Sequence, residues 1–247
     1  MIRRLGSEGQ KVLLGLDKSC LPISRSDDSE HSNMEPLPTY PQNDLFATDF
    51  TPHTDLPGFF PGAGGFFHGA SNTTKRFLFF GTDFGPLAYQ RDLRSTGGEP
   101  ESVVTLRNLR TIVSQAGIPL SDCFLTNAVL CVRRGDSATD HFPIWQQYPE
   151  YVVACASWHR RQIAEQKPVA VVLMGRPHLN HFGRLLFPEL AQHWERLKTM
   201  KSVYAQGKEV FSLADGTNVL LLLHPSFWHA HPPALKVKAI EHLSKWA

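Results

Sequence analysis

The stretch RFLFFGTDFGPLAYQ, Arg76–Gln90, decides how this chain is read. Phe77–Phe80 is a continuous apolar run without alternation, the pattern of a strand covered on both faces. It stops at Gly81, and Asp83 follows, fenced by that glycine and Gly85. A carboxylate at the mouth of a buried strand calls for a partner or a task.

Three further runs have the same character: CFLTNAVL (Cys123–Leu130), PVAVVLMG (Pro168–Gly175) and NVLLLLHP (Asn218–Pro225). Helical patterns separate them. ESVVTLRNLRTIVSQAG puts Val103, Leu106, Leu109, Ile112 and Val113 on one side and stops at Gly117. EYVVACASWHRRQIAEQ and the closing PPALKVKAIEHLSKW repeat the pattern, the latter with prolines at its start. Strands alternating with helices predict a three-layer α/β/α sandwich around a central, mainly parallel four-stranded sheet. SVYAQGKEVFSLADG, before the last strand, reads as a small hairpin or an extended excursion.

Ligands of open α/β sheets bind beyond the carboxyl ends of the strands. Asp83 follows the first strand, Asn127 lies in the second and His224 follows the last, while the third ends at Gly175-Arg176. The architecture therefore brings Asp83, Asn127 and His224 to one rim. Taken singly, each has a plainer use: Asp83 as a turn or helix cap, Asn127 as a partner for strand-end backbone, His224-Pro225 as a strand stop.

Together these stretches resemble the uracil-DNA glycosylase superfamily from about Phe77 to the C-terminus. GTDFG resembles its water-activating motif, HPSFWHAH its His-Pro-Ser motif, and FLTNAVLC the strand with the base-reading asparagine. The resemblance implies that Asp83 positions water and offsets positive charge on the sugar. It implies that His224 stabilises the departing base and that Asn127 reads the base edge. Ser226 matches a phosphate-contacting position and Trp228 the place of an apolar wedge, with Phe227 beside it. Arg133 and Arg134, and beyond the His loop Lys236 and Lys238, suit phosphates or plain solvated surface. Where the best-known branch has a tyrosine that excludes thymine's methyl group, this chain has Gly85. That is similar to the family 4-like, iron–sulfur branch, as are Cys131 and Cys155. The N-terminal cysteine pair completing such a cluster is absent, Cys20 alone being available, so no cofactor and no metal is expected. Phe84 and Tyr89 are the candidates for stacking on the base, Phe84 also by its backbone alone.

Composition bounds the rest. With 247 residues, 42% of them hydrophobic, one sizeable core is available. A net charge of +2 draws no polyanion by itself, so DNA binding needs a local basic face. Cys20, Cys123, Cys131 and Cys155 show no CxxC pair and suit reduced thiols in a cytosolic protein. No run reaches the roughly 20 apolar residues of a membrane span, and MIRRLGSEGQKVLLGL makes a poor signal peptide. Residues 1–74 read as an N-terminal extension: SRSDDSEHSNMEPLP as a linker, and the segment with Phe59, Phe60, Phe66 and Phe67 as packed on the domain formed by 75–247.

The expectation is a monomeric, monofunctional DNA glycosylase acting on DNA that contains uracil or another deaminated base. It would work in the cytoplasm at the nucleoid, or in the nucleus of a eukaryote. Two alternatives stay open: a DNA-binding protein of this fold without turnover, and a nucleotide-binding α/β enzyme. Against the last, GAGG at Gly62–Gly65 follows no strand pattern.

Overall fold

The four apolar runs become strands β1 (Phe77–Asp83), β2 (Cys123–Val129), β3 (Ala170–Met174) and β5 (Asn218–Leu222). A computed structural model describes residues 38, 39, 41, 46–48, 76–97, 102–134 and 144–247. The expectations for Cys20, Gly62–Gly65 and Phe59, Phe60, Phe66 and Phe67 lie outside these residues. One sheet runs β2-β1-β3-β5-β4, parallel except for β4 (Val210–Ser212), which pairs antiparallel with β5. The sheet thus has five strands rather than four. The excursion before the last strand supplies the extra one, as a hairpin partner too short to carry a strand signal of its own.

Alternation is present within the runs but hidden, because both faces are apolar. Leu78, Phe80, Phe124, Val171, Leu173 and Leu221 point to one side, with Trp158, Phe182 and Trp194. Phe77, Phe79, Leu125, Val172, Leu220 and Leu222 point to the other. The helix α3 (Pro149–Gln166) covers the first face. The helices α2 (Val104–Gln115) and α4 (Pro233–Ser244) cover the second. Phe77–Phe80 are wholly buried, at ~1.5–3 kcal/mol a side chain. That burial places β1 in the middle of the sheet and fixes where its last residue emerges. α2 ends in the expected place: Gly117 donates to Ser114 and Ile118 to Val113, satisfying its last carbonyls.

α4 is tied to the sheet edge by charge. Glu209, 1% exposed, accepts at Oε1 from Lys238 Nζ at 2.6 Å and His242 Nε2 at 2.9 Å. Burial pushes the Glu209 carboxyl up, but these hydrogen bonds outweigh it and hold the group below its ordinary range. Lys238, about two-thirds covered, is thereby paired with Glu209 rather than left as plain solvated surface. Glu209→Gln should destabilise the fold by about 2 kcal/mol. That is less than the ~3–5 of a fully buried pair, because Lys238 is a third exposed. Urea unfolding at neutral pH measures it, and an unchanged midpoint contradicts the tether.

Candidate active site

The β1–β2 ladder does not stop with the strands. Gly81 pairs with Asn127 and Asp83 with Val129. Beyond them Phe84 N–H donates to Cys131 O (3.2 Å), Arg133 N–H to Gly85 O (3.0 Å) and Leu87 N–H to Arg133 O (2.8 Å). The loop after Asp83 is held as firmly as a strand. Gly85 sits at φ +81°, and a Cβ there would meet Tyr89 Cδ1 at 3.2 Å, so the turn needs glycine twice over. Gln90 Nε2 donates to Phe84 O at 2.6 Å from the first helix, α1 (Leu87–Thr96). Asp83 Oδ1 accepts from Gly85 N–H (2.7 Å) and from Arg133 Nε (3.2 Å).

His224 emerges from β5 beside Gly175, the residue after β3. Gly175 has φ +90°, and a Cβ on it would lie 3.1 Å from the His224 Cβ and Cδ2, so the ring packs where a side chain would be. The Ser226 N–H donates to His224 Nδ1 at 3.2 Å, which assigns the proton of the neutral ring to Nε2. Burial, and then repulsion from His231, pushes His224 down to about 4. Its loop is tied to α2: Asn108 Nδ2 donates to Pro225 O at 2.7 Å, and the Thr105 and Ser226 hydroxyls hydrogen-bond each other.

Asn127 is 3% exposed in β2, and its carbonyl accepts from His159 Nε2 at 2.8 Å. Burial pushes His159 to about 3, so the imidazole is neutral and donates there. His178, also wholly buried, is pushed to about 3 by burial and then by repulsion from His224.

Asp83, Asn127 and His224 line one cavity of about 370 Å³, with Gly85, Tyr89, Thr105, Arg133 and Ser226 and part of Phe84. That is near the lower end of small-molecule sites, about 300–1,000 Å³. Several expected residues are placed differently. The Phe84 ring is 2% exposed within the core, leaving no face for a base. The Arg133 side chain is 7% exposed, lines the cavity and pairs with Asp83. Arg134 is exposed, its Nε bonded to Phe46 O at 3.0 Å. Trp228 packs on the second core face, whereas Phe227 is 62% exposed.

The uracil DNA glycosylase superfamily model matches residues 68–244, more than half of the chain. The chain belongs to that superfamily. No curated protein matches it. Superfamily membership supports a glycosylase-like function on DNA. No described helix is long and apolar enough to cross a membrane. Burial pushes the Cys155 thiol up to about 12 and the Cys131 thiol well above its usual value. Among the described residues no three His, Cys, Asp or Glu side chains are grouped to hold a metal. Thr105, Asn108, Gln90 and His159 escaped the sequence reading. Only Thr105 and Asn108 left a trace, as polar side chains three apart on one side of α2.

The buried histidines set an acid limit. Their folded-state values lie below the 6.5 of the unfolded chain, so the unfolded state alone binds protons as pH falls below 6.5. Stability present above that pH is lost progressively below it. The slope reaches about 1.4 kcal/mol per pH unit for each fully buried histidine. Glu209 adds to the loss only below its ordinary 4.5. Urea unfolding at about pH 7 and about pH 5 should show the drop, and His159→Gln should remove one histidine's share. A flat profile across that window contradicts the assignment.

Proposed function

We propose that this protein is a monofunctional DNA glycosylase that hydrolyses the N-glycosidic bond of uracil, or of a related deaminated base, in DNA. The observation that carries the reading is the meeting of a carboxylate, an amide and a neutral imidazole in one cavity. Breaking the C1′–N bond leaves its electron pair on the base and positive charge on the sugar, so groups of opposite character are needed at the two ends. Asp83 orients a water toward C1′ and accepts its proton as the C–O bond forms. His224 donates from Nε2 to the base O2 and stabilises the anion without first having to lose a proton, since its burial keeps it neutral. The Asn127 amide offers a donor to O4 and an acceptor to N3–H, a pattern that cytosine reverses.

A base in duplex must leave the stack before the cavity can take it. The exposed Phe227 suits the space the base vacates, and Trp228 suits the anchor of the same loop. Of the two stacking candidates at the cavity, Tyr89 keeps the role, since the Phe84 ring is buried in the core. Arg134, Ser226 and Lys236 are the polar groups assigned to the DNA backbone. One observation favours a second reading, DNA binding without turnover. A carboxylate paired with Arg133 has less negative charge to offer a cationic sugar.

Labelled oligonucleotides bearing uracil, hypoxanthine or mismatched thymine, followed by alkaline cleavage, separate the two. The glycosylase should release at least one base, and Asp83→Asn and His224→Ala should each lower the rate by roughly 10²–10³. Phe227→Ala should slow reaction on duplex more than on single strands, by the ~1–3 kcal/mol of a lost stacking contact. Salt-sensitive binding with every base left in place would support the second reading instead.

A further inference from the structure

We propose that Arg133 is a positioning residue for Asp83, and that the segment Phe46–Ala47 holds Arg133 in place; the proposal rests on the glycosylase reading. Both partners are largely withdrawn from water, the side chains being 7% and 15% exposed. Asp83 Oδ1 takes the Gly85 N–H and the Arg133 Nε–H together, which fixes the plane of the carboxylate. Oδ2 receives no hydrogen bond among the described residues, and it is the oxygen left to hold a water. A guanidinium edge sets direction as well as charge, which an ammonium does not.

Arg133 is itself held from several sides. Its N–H and C=O are bonded to Gly85 and Leu87, and its backbone bridges to both Pro86 and Phe46. Ala47 N–H donates to Val132 O at 3.0 Å. Phe46 is wholly buried, edge-on to Tyr148 at 5.0 Å and Tyr151 at 5.7 Å. The Tyr151 hydroxyl in turn donates to Leu130 O at 2.7 Å. An aromatic socket thus pins the short segment that clasps Val132–Arg134. Phe46 precedes residue 68, where the superfamily match begins. The device therefore recruits chain from outside the matched region to hold a group inside the site.

A double-mutant cycle tests this with the full chain. Arg133→Met should lower single-turnover kcat by about 10–100-fold, as expected for misplacing a reacting group, with KM for DNA nearly unchanged. In an Asp83→Asn background the same change should cost almost nothing, because the group it acts through is gone. Arg133→Lys should recover part of the rate, and Phe46→Ala should lose rate with the same split. Arg133→Gln replaces Met should that variant fail to fold. A nuclear magnetic resonance signature stands apart from activity: the Arg133 Nε–H should resist solvent exchange, shift in Asp83→Asn and lose protection in Phe46→Ala.

Equal losses in both backgrounds overturn the proposal in favour of a general structural role. A raised KM with kcat intact makes Arg133 a DNA contact, and a faster Arg133→Met makes it a brake; either overturns positioning. If the wild type releases no base, the glycosylase reading falls and the catalytic role falls with it. A protected Nε–H would then still establish the pair, and an unprotected one would remove it.

Discussion

The parallel pairing of β1 with β2, carried on past both strands, is the constraint on which the site depends. Burial of Phe77–Phe80 fixes β1 between β2 and β3. Register then sets Gly81 beside Asn127 and delivers Asp83 to the rim. Because Phe84, Gly85 and Leu87 continue bonding to Cys131 and Arg133, the carboxylate leaves a rigid edge rather than a loose loop. β3 and β5 close the other side, where Gly175 has no side chain and the His224 ring packs in the space. The position of β1 also marks where the connections reverse direction across the sheet, the usual location of a ligand crevice in such folds.

His224 and Asp83 are held by different contacts. His224 is shielded, receives a backbone N–H at Nδ1 and is pushed toward the neutral ring. Asp83 instead receives two donors at one oxygen, one of them cationic. Asp83, an acceptor, and His224, a neutral donor, line the same cavity, and the proposed cleavage, which separates charge as the bond breaks, would use both. The behind-the-wall residues serve the same end. His159 fixes the backbone of Asn127, and Thr105 and Asn108 fix the loop after His224.

Much of this was legible in the sequence because it follows from period and punctuation. Four apolar runs without alternation meant a sheet covered on both sides, and the polar residue ending or interrupting three of them meant a common rim. What stayed hidden depended on direction. Arg133 and Arg134 are indistinguishable as neighbours, yet in an extended segment adjacent side chains point to opposite sides, one into the site and one outward. Phe227 and Trp228 pose the same difficulty in a tight turn, where no periodicity says which is covered. β4 is only three residues long and gains its identity from β5 alone. Phe46 gave no warning, because its burial rests on Tyr148 and Tyr151, about a hundred residues along the chain.

The proposed hydrolysis requires a single flipped base lying between residue 83 and His224. A crystal structure of the Asp83→Asn variant, with a duplex carrying uracil on an uncleavable 2′-fluoro sugar, addresses that directly. The prediction is an extruded uracil inside the cavity, its O2 within about 3.2 Å of His224 Nε2 and its O4 and N3 against the Asn127 amide. A uracil left stacked in the helix, or a nucleotide seated elsewhere with the cavity unfilled, would contradict it.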